Sequence, residues 1–193
     1  MKRLLLSTIA LLALANTAKA ELTVGVLAGI KKDSYSYTAA AVDSVEYPMS
    51  SRVGALLTLP LFPLLSLRTG LMLDTDKFDV TYSGGSKVSS IASFTSIPLD
   101  LQIGLPLTGL YVYGGAVLAM NTKYEVGGSA ATEKLKADTR MNLGLGYEVF
   151  SLAVAKLALE VNYEKGMSNI SQVSGEEIKS GHLGLNLAAK IGF

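Results

Sequence analysis

Apolar and polar residues alternate along much of the chain with a period of two, the pattern of a β-strand that has one apolar face. Eight segments show it, and each sets Leu, Val, Ile or Ala on one side against Gly or polar and charged residues on the other. The segments are Leu22–Lys31, Arg52–Leu59, Leu67–Asp74, Ile97–Leu105, Leu110–Tyr124, Arg140–Val149, Leu157–Glu164 and His182–Phe193. The sequence therefore predicts eight strands and an all-β fold.

The connections between these segments alternate in length. Short connections are Pro60–Ser66, Pro106–Gly109 and Phe150–Lys156, and long polar ones are Lys32–Ser50, Ser83–Ser90, Val126–Asp138 and Gly166–Gly181. Short turns at one rim and long loops at the other are typical of outer-membrane barrels. The alternation changes phase between Leu73 and Phe78 and again between Phe94 and Ile97, which predicts β-bulges or bends at both places.

Composition narrows the class of protein. Apolar residues make up 49% of the chain, but after residue 20 the best candidate for a spanning helix, Leu56–Leu67, is interrupted by Pro60 and Pro63. Because a spanning helix needs about 20 consecutive apolar residues, a helical membrane protein is excluded. The absence of cysteine excludes a disulfide scaffold and thiol chemistry.

The first 20 residues have the features of a secretory signal peptide. Lys2 and Arg3 precede an apolar stretch, and an A-x-A site predicts cleavage between Ala20 and Glu21. Residues 21–193 then form the mature domain, with 14 basic and 16 acidic residues and a formal net charge of −2. This balance gives no basic surface for nucleic acid.

The polar faces of the strands indicate which side is buried. They are rich in glycine, which weakens a water-facing strand but suits the narrow interior of an eight-stranded barrel. Their charged residues balance as four cations and four carboxylates. Since buried charges must be paired, these residues predict an internal ion-pair network that plugs the barrel. The predicted network is Arg52, Arg68, Arg140 and Lys190 with Asp100, Glu148, Glu160 and Glu164.

Several segments resemble the small outer-membrane β-barrel family of OmpA-like and OmpX-like transmembrane domains. These are "IPLDLQIGL", "LYVYGGAVLAMN", "LGLGYEVF", "LALEVNYEKGMSNI" and the last strand, whose terminal Phe193 resembles the signal read by the barrel assembly machinery. The resemblance covers residues 21–193 and implies an eight-stranded antiparallel up-and-down transmembrane β-barrel. It also implies a monomer in the outer membrane of a Gram-negative envelope, in contact with outer-membrane lipids and lipopolysaccharide.

The residues indicate little chemistry. No cofactor or metal site is predicted, because the chain has one histidine and no calcium-loop spacing among its acidic residues. One alternative is a lipid-modifying enzyme that uses His182 with nearby serines and glutamates; another is a soluble periplasmic lipocalin-like barrel. A non-enzymatic barrel is preferred, with an envelope structural role or an adhesin-like role for the long loops. The enzyme candidates are His182, Ser168, Ser171, Ser174, Ser180, Glu176 and Glu177, and the loop tyrosines are Tyr35, Tyr37 and Tyr47.

Overall fold

Twelve strands and no helix make up the part of the chain that a computed structural model describes, residues 21–38, 42–131, 135–152, 154–172 and 177–193. The predicted signal peptide lies outside these ranges. None of the described residues belongs to a helix long and apolar enough to cross a membrane. The strands are β1 (Thr23–Asp33), β2 (Ser36–Thr38), β3 (Val42–Glu46), β4 (Met49–Phe62), β5 (Leu65–Tyr82), β6 (Lys87–Gly104), β7 (Leu110–Val126), β8 (Ser129–Ala130), β9 (Asp138–Leu152), β10 (Ala155–Gly166), β11 (Glu177–Lys179) and β12 (Gly181–Gly192).

Eight of these strands close into one antiparallel barrel. Their order around the barrel is β1, β4, β5, β6, β7, β9, β10 and β12, and β12 pairs again with β1 from Thr23–Gly192 to Asp33–His182. The four short strands lie at the rim with the longer connections: β3 pairs with β5, β8 with β7, and β2 with β11. The predicted fold, an eight-stranded antiparallel up-and-down barrel, is confirmed.

The apolar faces of the barrel strands point outward. On β9, Leu143 is 68% exposed, whereas its neighbour Asn142 is 6% exposed. The same alternation follows β10 from Leu159 to Tyr163 and β12 from Leu183 to Ile191, where exposed aliphatic or aromatic residues alternate with buried ones. Strand β7 has two apolar faces because Tyr111 and Tyr113 fill the interior beside it. The exposed apolar side chains therefore form an outer band, and the charged residues lie inside.

Two glycines of β9 make room for these tyrosines. A side chain at Gly144 would overlap the ring of Tyr113, and one at Gly146 would overlap the ring of Tyr111. Both glycines are on the interior face of the strand, opposite the tyrosines in the β7–β9 register. The sequence predicted that a narrow interior would require glycine. At these two positions the reason is that any larger side chain would overlap a tyrosine ring.

Strands β5 and β6 are longer than predicted. The expected long connection Ser83–Ser90 was wrong, because only residues 83–86 lie outside the strands. Gly84 and Gly85 adopt positive φ angles and form a tight turn, in which Gly85 N–H donates to Tyr82 O at 3.0 Å. The polar residues beyond it belong to strands that continue past the apolar band.

The sequence predicted a bulge or a bend between Leu73 and Phe78, and the bulge was wrong, since β5 keeps one register with β6 along this stretch. Phe78 and Val80 lie on the same inward face as Asp74 and Met72. The change of phase in the sequence reflects a change of environment, because past the apolar band the interior becomes apolar. The strand itself is regular.

The second predicted bulge lies near, but not within, the expected segment. Strand β6 alternates regularly from Phe94 to Ile97. The β6–β7 register shifts between Ser93 and Phe94, where the extra residue is Thr122 of β7. The irregularity therefore belongs to the partner strand, which brings Tyr124 to the inner face behind Phe78.

Aromatic residues are exposed near both ends of the apolar band. Phe62, Phe150 and Phe193 are 52–78% exposed beside the short turns, and Tyr163 is 50% exposed toward the other rim. We call the two ends the short-turn rim and the long-loop rim. Aromatic girdles of this kind are found where a barrel meets both membrane interfaces.

Candidate functional site

The largest concentration of chemically active side chains is the buried interior of the barrel. Near the long-loop rim, Arg52 of β4 holds two carboxylates at once. Its Nε donates to Asp74 Oδ1 at 2.5 Å, and its Nη1 donates to Glu164 Oε1 at 2.5 Å. Asp74 is on the adjacent strand β5, whereas Glu164 is on β10, with β1 and β12 between. The guanidinium therefore ties distant walls of the barrel together.

Arg140 of β9 extends the same cluster from the other side. Its Nε donates to Asp138 Oδ2 at 2.8 Å, and its Nη1 lies 3.4 Å from Glu164 Oε2. It is fully buried and also lies 3.8 Å from Asp74. Lys31 of β1 completes the cluster through a hydrogen bond to Asp76. We call Lys31, Arg52, Arg140 and the carboxylates that they contact the upper cluster.

A second group of charges, the lower cluster, lies closer to the short-turn rim. Arg68 Nη2 on β5 donates to Glu160 Oε2 on β10 at 2.6 Å. These two strands are on opposite sides of the eight-stranded barrel, so this contact spans its interior. Lys190 Nζ lies 3.2 Å from Glu160 Oε1 and donates to Tyr111 Oη at 2.8 Å. The Arg68 guanidinium also stacks over the ring of Tyr113, 4.0 Å from its centroid.

Three asparagines connect the two clusters. Asn186 donates to Asn162 at 3.0 Å, Asn162 donates to Asn142 at 3.1 Å, and Asn142 donates to both oxygens of Asp100 at 3.0–3.1 Å. Asn162 also donates to Glu164 of the upper cluster at 3.0 Å. A series of hydrogen bonds therefore runs along the interior from Glu164 to Asp100. Asp100 in turn lies 4.0 Å from Arg68 Nη1 of the lower cluster, as an ion pair.

The buried charge set is larger than the sequence prediction. The described interior contains five cations and seven carboxylates, and the residues missed were Lys31, Asp33, Asp74, Asp76 and Asp138. Neutral donors stabilise the additional carboxylates. Ser50 donates to Asp33, Ser180 donates to Asp138 at 2.5 Å, and Tyr35 Oη donates to Asp76 at 2.5 Å. All of the missed residues lie on the inward faces of β1, β5 and β9. Continuing the alternation of these strands along the sequence would have assigned them to the interior.

Glu148 is the predicted network residue that the structure places apart. It is only half-buried, and among the described residues it has no ion-pair partner within 4.0 Å. It lines a cavity of about 150 Å³ at the short-turn rim together with Lys156, Lys190 and Glu21. The other seven predicted residues are buried within the two clusters.

His182 is buried beneath the long-loop rim. Its Nδ1 lies 2.7 Å from Asp33 Oδ1, and its Nε2 has no hydrogen-bond partner among the described residues. Ser180 is bonded to Asp138, and Ser174 and Glu176 lie outside the described residues. Among the residues that the structure describes, therefore, no serine hydroxyl is hydrogen-bonded to His182 as a nucleophile would require.

Asp33, Asp76 and His182 together offer three metal-ligand atoms within 4.8 Å of one another. The cation at this place is the ammonium group of Lys31, which is bonded to Asp76 and lies 3.8 Å from Asp33. The arrangement is therefore an ion-pair cluster that already contains its own positive charge.

Aromatic rings cover the upper cluster. Tyr35 packs 5.6 Å from Phe78 and edge-on to His182 at 5.7 Å between ring centroids. Tyr47 Oη donates to Tyr35 O at 2.7 Å. Burial raises the pKa of the Tyr35 phenol, and the Asp76 carboxylate raises it further, so the group remains a proton donor. Tyr35 and Tyr47, two of the three loop tyrosines noted in the sequence, help to close the long-loop rim.

The search of protein families and the search of curated proteins found no match to this chain. Solved structures do match it. The outer membrane protein OprG from Pseudomonas aeruginosa aligns with a TM-score of 0.59 and 13% identity over 92% of this chain and 99% of that chain. Ail of Yersinia pestis, solved in complex with the heparin analogue sucrose octasulfate, aligns with a TM-score of 0.56 and 11% identity over 89% and 100%. Neisserial surface protein A aligns with a TM-score of 0.51 and 19% identity over 88% and 97%.

The matched proteins are eight-stranded barrels of outer membranes, and the alignments cover nearly their whole length. Because the sequence identities are only 11–19%, these alignments show a shared architecture and nothing finer. The exposed aliphatic band and the buried charges are what this architecture requires of a lipid-facing barrel. The chain therefore has the fold of the small eight-stranded outer-membrane β-barrels.

Proposed function

We propose that the protein is a non-enzymatic integral barrel of the Gram-negative outer membrane, with an interior closed to ions. One observation carries the proposal: side chains such as Leu143 are exposed on the barrel wall, while Arg52, Arg68 and Arg140 are at most 3% exposed. A barrel surrounded by water would have its charged residues outside and its aliphatic residues inside, because exposed apolar patches of this extent are rare on soluble monomers. A soluble lipocalin-like barrel would place its aliphatic side chains inside.

Two sequence features support the proposed export and assembly, the signal-like segment and the last strand. We infer that Met1–Ala20 directs secretion, that cleavage falls between Ala20 and Glu21, and that Phe193 is read by the barrel assembly machinery. Phe193 is 78% exposed at the short-turn rim, so its ring is accessible to a partner. Its backbone N–H donates to Leu22 O at 2.9 Å, which places it where the first and last strands meet.

The interior supports a barrier rather than a pore. The Arg68–Glu160 and Arg52–Glu164 contacts cross the interior at two levels, and aromatic rings lie above them. Eight strands enclose a space just wide enough for side chains to fill. With the interior closed, the role of the protein in the cell envelope is structural or adhesin-like. The second role is favoured at the long-loop rim, where β5 and β6 extend past the apolar band and β3 adds a strand to this extension.

Reconstitution tests this proposal. Protein extracted from an outer-membrane fraction should migrate faster on a gel before boiling than after it, because a folded membrane barrel resists SDS. The same protein in planar bilayers should give no stepwise ion conductance, whereas a sixteen-stranded porin reconstituted in parallel should conduct. Recovery in the aqueous periplasmic fraction would contradict membrane insertion, and discrete conductance steps would contradict the closed interior.

A further inference from the structure

A cleft lies at the long-loop rim, where the outer wall of the barrel meets the connections that cover the upper cluster. It has a volume of about 340 Å³ and lies between the end of β10, the start of β12 and the β2–β11 ribbon. Two of the polar residues that line it, Tyr35 and Ser180, already donate to the interior carboxylates Asp76 and Asp138. The polar side chains that remain for a ligand are Ser34, Ser36, Tyr163, Lys165 and Lys179. No carboxylate is among the described residues that line it.

The outward residues of β10 fix the level of this cleft. Leu159 and Val161 are 46% and 48% exposed, Tyr163 follows at 50%, and the next outward residue is Lys165. On the neighbouring strand, Leu183 pairs with Tyr163. A change from aliphatic to tyrosine to lysine along one strand face marks the boundary between acyl chains and headgroups. The cleft therefore opens at headgroup level, directly above the lipid-facing band.

Its chemistry is cationic and rich in hydroxyl groups. Among the described residues Lys165 has no ion-pair partner within 4.0 Å, and Lys179 is paired with Glu177 at 2.6 Å. The nearby backbone groups are already used, since Gly166 N–H donates to Ser180 O and Ser34 N–H donates to Gly181 O, both at 2.7 Å. A ligand would therefore meet side chains, namely two ammonium groups with serine and tyrosine hydroxyls, which are suitable donors for phosphate.

We propose that this cleft binds the phosphate of a phosphorylated lipid headgroup in the leaflet at the long-loop rim. The inference rests on the proposed membrane location. A lipid rather than a soluble phosphate is the ligand because the cleft opens onto the aliphatic face of β10. Acyl chains attached to a phosphate between Lys165 and Lys179 can lie along Val161 and Leu159.

Lipid retention by the full-length mature protein tests this site. The probe is lipid A with two phosphates, compared with the same lipid after removal of its phosphates, added to protein in neutral detergent and counted by native mass spectrometry. Lys165→Gln should lower affinity for the phosphorylated lipid about fivefold, and the Lys165→Gln/Lys179→Gln pair at least tenfold. The matched control is Lys87→Gln/Lys123→Gln, two lysines exposed at the same rim outside the cleft, which should retain the lipid as the wild type does.

Equal retention by the cleft variant and the wild type would overturn the proposal, as would equal retention of the phosphorylated and dephosphorylated lipids. Inorganic phosphate binding as tightly as the lipid would assign the cleft to a soluble ligand and overturn the lipid assignment. Gel migration before and after boiling is measured on every variant. A barrel that folds and inserts but retains no lipid A contradicts only this inference, whereas a chain that does not insert contradicts the proposed function.

Discussion

Arg52→Ala is expected to lower the free energy of unfolding by about 3–5 kcal/mol, the largest effect of any single substitution considered for this barrel. Arg52 forms hydrogen bonds of 2.5–3.3 Å to Asp74 and Glu164, and all three side chains are buried. Alanine would leave two carboxylates facing each other without their principal cation. The expected loss comes mainly from those uncompensated charges.

Urea unfolding in lipid vesicles, followed by circular dichroism, measures this loss. The chain has no tryptophan, so secondary structure is a more direct signal than fluorescence. Lys87→Ala is the control, because it removes an exposed ion pair with Glu46 and should leave the unfolding free energy unchanged. Adding Asp74→Asn to Arg52→Ala should recover part of the loss, since it removes one unpaired charge. A change below about 1 kcal/mol for Arg52→Ala would contradict the role assigned to the upper cluster.

Leu145→Arg is expected to cost about 2–4 kcal/mol, and Met141→Arg about 0–1 kcal/mol, although both positions are on the outer face of the same strand. Leu145 is 51% exposed near the middle of the apolar band, and it pairs with Val161. Met141 is 60% exposed and pairs with Lys165, at the level of the long-loop rim. The cost of a charge on a lipid-facing wall depends on depth, because only the middle of the band is remote from water.

Reversible unfolding of both variants in vesicles separates the two environments. On a soluble barrel, arginine at either exposed position would change stability by no more than about 0.5 kcal/mol. Equal and small effects at Leu145 and Met141 would therefore favour an aqueous surface. A gradient from the middle of the band to its edge is the result expected of a membrane.

Alternation along the chain predicted the eight barrel strands because successive side chains of a strand point to opposite faces. Any strand with one apolar and one polar face therefore shows a repeat of two residues. It failed at Phe78 and Val80, which lie on the inner face of β5 although their apolar character suggested the outer one. A period of two describes which residues share a face but not what surrounds that face. Past the apolar band the outer face of β5 carries Lys77 and Asp79, so the polarity of both faces is reversed.

The sequence predicted that the interior contains paired charges, but it identified only some of the residues that carry them. Arg68 and Glu160 could be assigned to inward faces from the sequence, but their contact depends on closure of the barrel, which brings β5 opposite β10. Asp33 and Asp138 lie just beyond the segments in which alternation was counted, and they were missed for that reason. Tyr35 belongs to no alternating segment, and only the fold of the connection after β1 places it over Asp76.

The orientation of the aliphatic faces toward acyl chains is the claim on which every other conclusion depends. Because the chain contains no cysteine, Leu145→Cys and Lys123→Cys each allow a single nitroxide label to be attached without other changes. In vesicles, collisions with oxygen, which concentrates in the hydrocarbon, should exceed collisions with a water-soluble nickel chelate at position 145, and the order should reverse at position 123. Nickel access at position 145 equal to that at 123 would contradict the membrane barrel.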